Sequence, residues 1–165
     1  MTWKGFTIDG DFYDLTHLQT SLLDVEVDGD SVKLHVSYAN HCFTDKKENG
    51  PMLFKGERRY WCHERYERSK ELPGLIKAKL LDHYAIPYMT KSGESYHYME
   101  TFDYAIFFSL SKPTGTTNEL NMRINSAYEL DEWGKGSLPK GKPKRVSWIL
   151  SQRLKGQSVL KRKRK

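Results

Sequence analysis

Two segments decide the fold: residues 102–110, FDYAIFFSL, and residues 120–128, LNMRINSAY. Each alternates apolar and polar positions with the period of two that is typical of β-strands. In the first segment, Ala105 and Phe107 make the second face apolar as well, which predicts a strand in the middle of a sheet. In the second segment, the alternation predicts one face formed by Leu120, Met122, Ile124, Ser126 and Tyr128, and another by Asn121, Arg123 and Asn125.

Two hairpins are predicted upstream of these strands. Asp9-Gly10 separates residues 5–8 from 12–15, and Asp28-Gly-Asp30 separates residues 23–28 from 31–38. Such dipeptides favour the tight turns of antiparallel hairpins. If the strand of residues 31–38 continues without a bulge, Asn40 and Cys42 point inward, and His41 shares the other face with His35.

The remaining elements are predicted from helical periods and turn residues. Residues 45–56 read as a loop, and part of 57–72 as a helix, with a strand through residues 60–62 as the alternative. A helix from Pro73 to about His83 follows. Residues 96–99 suit a strand, residues 131–143 a linker, and residues 146–154 an amphipathic helix that ends near Gly156.

This order of elements predicts an α+β fold. We expect a bent antiparallel sheet built from hairpins, two central helices and a C-terminal helix. Residues 1–156 would form a single domain, followed by a flexible basic tail over residues 157–165.

The charge is distributed unevenly along the chain. The formal net charge is +6, yet residues 135–165 hold twelve Lys or Arg and no acidic residue, which leaves a net charge of −6 on residues 1–134. A basic run neutralises phosphates, so we expect RNA or another nucleic acid as a partner. A solvated tail or a nuclear import signal are the alternatives. The candidate nucleic-acid-binding residues are Arg68, Lys140, Lys142, Lys144, Arg145, Lys161, Arg162, Lys163, Arg164 and Lys165.

Several classes of protein are disfavoured. No apolar run approaches the ~20 residues of a membrane span, and the N-terminus has no apolar segment typical of a signal peptide, so we expect a cytoplasmic protein without a membrane partner. The motifs GxGxxG, GxxxxGK[ST], HExxH and GxSxG are absent, and no cofactor is expected. Two cysteines, Cys42 and Cys62, are too few for a disulfide framework, and we expect both to be thiols. Each is adjacent to a histidine, His41 or His63, whereas the paired ligands of structural zinc sites are usually two to four residues apart. This spacing disfavours a zinc site but leaves metal binding open.

The side chains suit RNA cleavage without a metal ion. That reaction needs a base for the 2′-hydroxyl, a cation for the phosphorane charge and an acid for the leaving oxygen. His41 or His63 would be the acid or base, Arg65 and Arg123 would hold the phosphate, and Tyr66 or Tyr128 would assist. On a helix, Arg65, Arg68 and Ser69 share one face, for which a solvated face paired with glutamates is the alternative. Ser126 is a further candidate, although its parity places it with core residues.

Residues 102–131 resemble the end of small RelE-like and barnase-like ribonuclease toxins. The sequence Arg123-Ile-Asn-Ser-Ala127 is similar to a strand of BrnT-type toxins. The resemblance implies that Arg123 and Ser126 lie near an RNA-cleaving site to which the preceding helix supplies His or Arg. The segments Asn40-His-Cys-Phe-Thr44 and Arg65-Tyr-Glu-Arg-Ser-Lys-Glu-Leu-Pro73 resemble uncharacterised proteins of bacterial mobile elements.

Two function hypotheses follow. The first is an RNA-directed protein, an endoribonuclease toxin of a mobile element. The alternative is a non-catalytic module that binds nucleic acid through its basic tail, or another protein. The enzyme hypothesis requires that His41, Arg65 and Arg123 meet at one concave surface.

Overall fold

The structure, a computed structural model, describes residues 3–90, 95–101, 103–130 and 138–160. Seven strands form the main sheet: β3 (Ser21–Val27), β4 (Asp30–Tyr38), β8 (Tyr84–Met89), β9 (Ser95–Thr101), β10 (Tyr104–Ser111), β11 (Glu119–Glu129) and β12 (Lys144–Arg145). Their order across the sheet is β12-β8-β9-β10-β11-β4-β3. All neighbours pair antiparallel except β11 and β4, which are parallel.

The α+β fold is confirmed, and so is the central position of the strand that begins at Tyr104. Both predicted hairpins are present, one of them formed by β1 (Gly5–Ile8) and β2 (Asp11–Asp14) and the other by β3 and β4. Their turns place Asp9, Gly10, Asp28 and Gly29 at positive φ, which is the reason for the Asp-Gly pairs.

The segment that precedes the first helix differs from the prediction. It forms a second small sheet in the order β5-β7-β6, with β5 (Thr44–Asp45), β6 (Met52–Phe54) and β7 (Arg59–Trp61). The prediction of a loop over residues 45–56 is therefore wrong at β6, and the strand alternative over residues 60–62 is close to β7. Strand β8 was not predicted, because Pro87 lies within it and a helical period precedes it.

Three helices cover one face of the main sheet: α1 (His63–Ser69), α2 (Leu72–Lys79) and α3 (Val146–Leu154). Leu72 and Ile76 of α2, and Ile149 and Leu150 of α3, are buried in the same cluster as the inward residues of the sheet. These inward residues include Val32, Leu34, Val36, Tyr104, Ile106, Phe108, Leu120, Met122 and Ile124. The opposite face of the sheet is left partly open.

The chain remains in contact with the core beyond α3. Val159 is buried against the main cluster, although the predicted domain ends at residue 156. Lys161, Arg162, Lys163, Arg164 and Lys165 lie outside the described residues, as do Phe102 and most of the predicted linker. In the described ranges, no helix is both long and apolar enough to span a membrane.

Candidate functional site

A β-bulge in β11 shapes the open face of the main sheet. Phe107 pairs with Ser126 while Phe108 pairs with Ile124, so Asn125 is an additional residue in β11. Because one inserted residue inverts the alternation, Ile124 and Ala127 both face the core, and Ser126 emerges on the open face.

The bulge corrects the parity predicted for β11. Ser126 and Tyr128 were expected beside Leu120 on the buried face. They instead share the open face with Arg123, and all three line one cavity of about 480 Å³. We call this the sheet-face cavity. Its lining comprises Ala39, Asn40, His41, Glu57, Tyr88, Tyr96, Phe107, Arg123, Asn125, Ser126 and Tyr128.

The side chains of His41 and Glu57 are in contact in the wall of this cavity. The His41 Nε2 atom lies 3.5 Å from Glu57 Oε1, and Asn40 Nδ2 donates to Glu57 Oε2 at 2.8 Å. Each residue is held in a 3₁₀ turn, Asn40–Cys42 for His41 and Lys55–Glu57 for Glu57. Strand β4 ends at Tyr38, before the first turn, so the condition that it continues through Cys42 is not met, although Cys42 is buried.

Burial and charge set the protonation states of the pair. Desolvation lowers the pKa of His41, and the nearby Arg59 lowers it further, while Glu57 raises it. The hydrogen bond from Asn40 is the main cause that lowers the pKa of Glu57. At neutral pH, His41 is therefore a neutral imidazole that can accept a proton, and Glu57 is a carboxylate that can stabilise the resulting imidazolium.

Arg65 connects the sheet-face cavity to a second cavity beside α1. Its Nη1 donates to the backbone carbonyls of His41 at 3.0 Å and Thr44 at 2.7 Å, and its Cζ lies 4.9 Å from the centre of the Tyr128 ring. Tyr128 lines both cavities. The second, of about 560 Å³, is lined by Asp45, Lys47, Asn49, Gly50, Trp61, Cys62, His63, Glu64, Arg65, Tyr128, Glu129 and Leu130.

The two candidate histidines therefore lie in different cavities. His63 begins α1 in the second cavity, where its Nε2 is 3.6 Å from Glu67 Oε1. His41, Arg123, Ser126 and Tyr128 meet in the sheet-face cavity. Arg65 lines the second cavity instead, and its Nη1 donates to the backbone carbonyl of His41. The required meeting of His41, Arg65 and Arg123 at one surface is therefore not found, and Arg65 is placed to hold His41 rather than a phosphate.

Asn125 belongs to the lining of this cavity. Its Nδ2 atom is buried and has no hydrogen-bond partner among the described residues. A buried donor without a partner costs about 1–3 kcal/mol.

Two predicted site residues lie away from both cavities. Tyr66 is 5% exposed and packs with its ring 4.9 Å from that of Trp61. Arg68 pairs through Nε with Glu71 at 2.6 Å, and its guanidinium covers the Tyr104 ring. Ser69, on the same helix face, is fully buried, because this face of α1 packs on the domain rather than facing solvent.

The cysteines offer neither a reactive thiolate nor a cluster of metal ligands. Burial raises the pKa of Cys42 to about 12, and desolvation also raises the pKa of Cys62. Both side chains therefore remain thiols at neutral pH. In the described ranges, no three His, Cys, Asp or Glu side chains are placed to hold one metal ion.

Among the predicted nucleic-acid-binding residues, Lys140 and Lys142 are exposed. Lys144 and Arg145 form β12 at the edge of the main sheet. Asn40, Glu57 and the aromatic wall of the cavity were not predicted from the sequence as parts of a site. The alternation of Tyr84, Ile86 and Tyr88 was the available signal for that wall, whereas nothing local distinguishes Glu57 from other surface glutamates.

Comparison of the sequence with known protein families assigns the chain to one of them. The chain matches the YjaZ family model over residues 5–154. It belongs to the YjaZ family. The matched range spans all three helices and every strand, so the fold described above is that of a YjaZ-family chain. The family's description names no activity, and no curated protein or solved structure matches the chain.

Proposed function

We propose that this YjaZ-family chain is an RNA-directed endoribonuclease that cleaves without a metal ion in the sheet-face cavity. One observation carries the proposal: the bulge at Asn125 brings Ser126 and Tyr128 to the open face beside Arg123, at the wall of the cavity that holds the His41–Glu57 pair. A proton acceptor, a cation and hydroxyl donors thus share one concave surface, as the reaction requires.

In the proposed reaction, His41 accepts the proton of a ribose 2′-hydroxyl. The 2′-oxygen attacks the adjacent phosphorus, a new bond to that oxygen forms, and the bond to the 5′-oxygen breaks. The products are a 2′,3′-cyclic phosphate and a 5′-hydroxyl, and we assign the Tyr128 hydroxyl as the donor to the leaving oxygen. Glu57 stabilises the imidazolium of His41 while the proton is held there.

Arg123 and Asn125 supply the groups that oppose the developing phosphorane charge. The Arg123 guanidinium adds positive charge. We assign the Asn125 amide, whose buried Nδ2 has no partner within the described chain, as a donor that is uncovered when the substrate binds. Tyr88 and Tyr96 offer aromatic faces on which a base can stack. A role as a toxin of a mobile element is part of the proposal and rests on sequence resemblance alone.

The test is cleavage of a single-stranded RNA in EDTA by wild type, His41→Ala and Arg123→Ala. We expect His41→Ala to lower the rate by about 10²–10⁴-fold and Arg123→Ala by about 10²-fold or more. His83→Ala, which lies outside the cavity, is the matched histidine control and should cleave like wild type. A substrate with one 2′-deoxyribose at the cleaved position should resist.

Three results would overturn the proposal. The first is failure of the wild type to cleave RNA in EDTA at any site. The second is cleavage by His41→Ala at the wild-type rate, which would show a contaminating nuclease or a different site. Cleavage at the 2′-deoxyribose position would show a mechanism that does not use the 2′-hydroxyl.

A further inference from the structure

Two exposed aromatic rings stand beside cations at the edge of the main sheet. Tyr84 in β8 is 51% exposed, and Trp148 in α3 is 40% exposed. The Arg145 Cζ atom lies 5.4 Å from the centre of the Tyr84 ring, and Lys144 Nζ lies 5.4 Å from that of Trp148. We call these four residues the edge patch.

The edge patch is built by local backbone pairing. Arg145 pairs with Tyr84 and Lys144 with Ala85, so the two cations come from neighbouring positions of β12. Because adjacent strand residues point to opposite faces, Arg145 lies on the open face with Tyr84, and Lys144 lies on the helix side with Trp148. The patch therefore wraps around the sheet edge.

A basic segment lies between the edge patch and the sheet-face cavity. Tyr84, Ile86 and Tyr88 share the open face of β8, and Tyr88 lines the cavity. A Cβ atom on Gly141 would lie 3.1 Å from Ile86 Cγ2, so the backbone there rests on Ile86. At the rise of a β-strand, Tyr84 and Tyr88 are separated by ~13 Å, and Ile86 lies midway between them. The exposed residues Lys140 and Lys142 flank Gly141, so they lie along this distance.

We propose that the edge patch is a binding site for single-stranded RNA, which holds the part of the strand that flanks the cleaved nucleotide. The link to cleavage rests on the proposed function, whereas the binding itself does not. Phosphates would contact Arg145, Lys140 and Lys142, and an unstacked base would stack on Tyr84. A duplex offers no free base faces, so the exposed rings favour a single strand.

Charge complementarity supports an anionic polymer as the occupant. Residues 135–165 contain twelve basic and no acidic residues, whereas the rest of the chain is acidic. A purely electrostatic surface would not require exposed tyrosine and tryptophan rings, each of which leaves apolar area in water.

The binding test uses a labelled oligouridine of about 12 nucleotides, a length within the site sizes of single-strand-binding domains. Affinity is measured by fluorescence anisotropy in the His41→Ala background, over a range of salt concentrations. We expect Tyr84→Ala to weaken binding by about 5- to 100-fold and Tyr84→Phe to retain it. Arg145→Ala should reduce the slope of log affinity against log salt by ~0.7.

Matched controls separate the patch from general surface effects. Phe12→Ala removes another exposed ring, and Lys77→Ala removes an exposed charge from α2; neither should change affinity. Unchanged affinity in both Tyr84→Ala and Arg145→Ala would overturn the proposal. So would equal affinity for an RNA duplex of the same length, which would indicate a site for duplex backbone.

The cleavage test distinguishes this inference from the proposed function. Tyr84→Ala should lower kcat/KM for the long oligonucleotide and leave cleavage of a dinucleotide unchanged, since a dinucleotide occupies only the cavity. Absence of all cleavage, with binding still dependent on Tyr84, would overturn the nuclease and retain the edge patch as a binding site. Normal cleavage of both substrates by Tyr84→Ala would overturn the edge patch alone.

Discussion

The imidazole of His41 lies 3.5 Å from the carboxylate of Glu57, although the two residues belong to different turns of the chain. The contact places a proton acceptor and its stabilising anion in a cavity whose other wall carries Arg123. Its electrostatics can be measured without any assay of activity.

Glu57→Gln should lower the pKa of His41. The carboxylate of Glu57 raises that pKa by its charge and by a hydrogen bond, while desolvation lowers it below the ordinary 6.5. NMR titration of the His41 ring protons measures the change directly. Glu26→Gln removes an exposed carboxylate from β3 and is the control. A His41 pKa that stays the same or rises in Glu57→Gln would contradict the geometry.

The rate of RNA cleavage should fall on acidification as His41 becomes protonated. Because the pKa of His41 is lowered, this acid limb is expected below pH 6.5. In Glu57→Gln the limb should move to still lower pH. A limb centred above pH 6.5 in wild type would show that His41 is not the base.

Asn125→Ala should separate stability from function. The variant removes a buried donor that has no partner among the described residues, so the free energy of unfolding should stay constant or rise by about 1 kcal/mol. RNA cleavage should nevertheless fall, because Asn125 lines the cavity. Urea unfolding and cleavage are measured on the same preparation. A loss of more than about 2 kcal/mol would mean that the side chain has a structural partner instead.

Arg65→Ala should destabilise the fold and displace His41. It removes two hydrogen bonds from a charged donor to backbone carbonyls and the contact with the Tyr128 ring. We expect a loss of about 2–4 kcal/mol in urea unfolding, with a smaller loss in Arg65→Lys. Arg123→Ala, on an exposed side chain, is the control and should change stability by less than about 0.5 kcal/mol. Equal effects of the two alanine variants would refute this structural role.

Stability should fall on acidification because of His97. Its side chain is 1% exposed, its Nδ1 lies 3.3 Å from the Phe108 carbonyl, and desolvation lowers its pKa to about 4. Between that value and the ordinary 6.5, the unfolded state binds more protons than the folded state. The stabilisation that comes from keeping His97 neutral is therefore complete above pH 6.5 and is lost as the pH falls. The free energy of unfolding should decrease by about 2 kcal/mol between pH 7 and pH 5.

His97→Phe should remove this part of the pH dependence, since a phenyl ring can stack on Phe108 but cannot bind a proton. His63→Gln alters a histidine that is 55% exposed and should leave the dependence unchanged. Urea unfolding at the two pH values gives the comparison. An identical fall in His97→Phe and wild type would assign the acid sensitivity to other groups.

The alternation of residues was sufficient to predict most strands, because burial of one strand face is a local pattern. It failed at β8, where Pro87 interrupts the pattern, and at β6, where three residues are too few to show one. For the candidate site, the sequence indicated His41, Arg65 and Arg123 as candidates, because their side chains have the acid–base and cationic chemistry that the reaction needs. The sequence also suggested Tyr66 and Arg68, but these two side chains of α1 pack against the domain. The sequence does not show this, because the orientation of a helix face depends on the distant residues that it packs against.

By itself, the sequence determined the α+β class, the two Asp-Gly hairpins, the central strand and the concentration of basic charge after residue 135. Those features depend on the spacing and the backbone preferences of residues that are close together in the sequence. Only the tertiary structure decided that β11 pairs in parallel with β4, that Asn125 forms a bulge, and that Glu57 meets His41. The reason is that strand register and side-chain proximity arise from pairing between distant segments, and one additional residue in a pair reverses which side chains reach the open face.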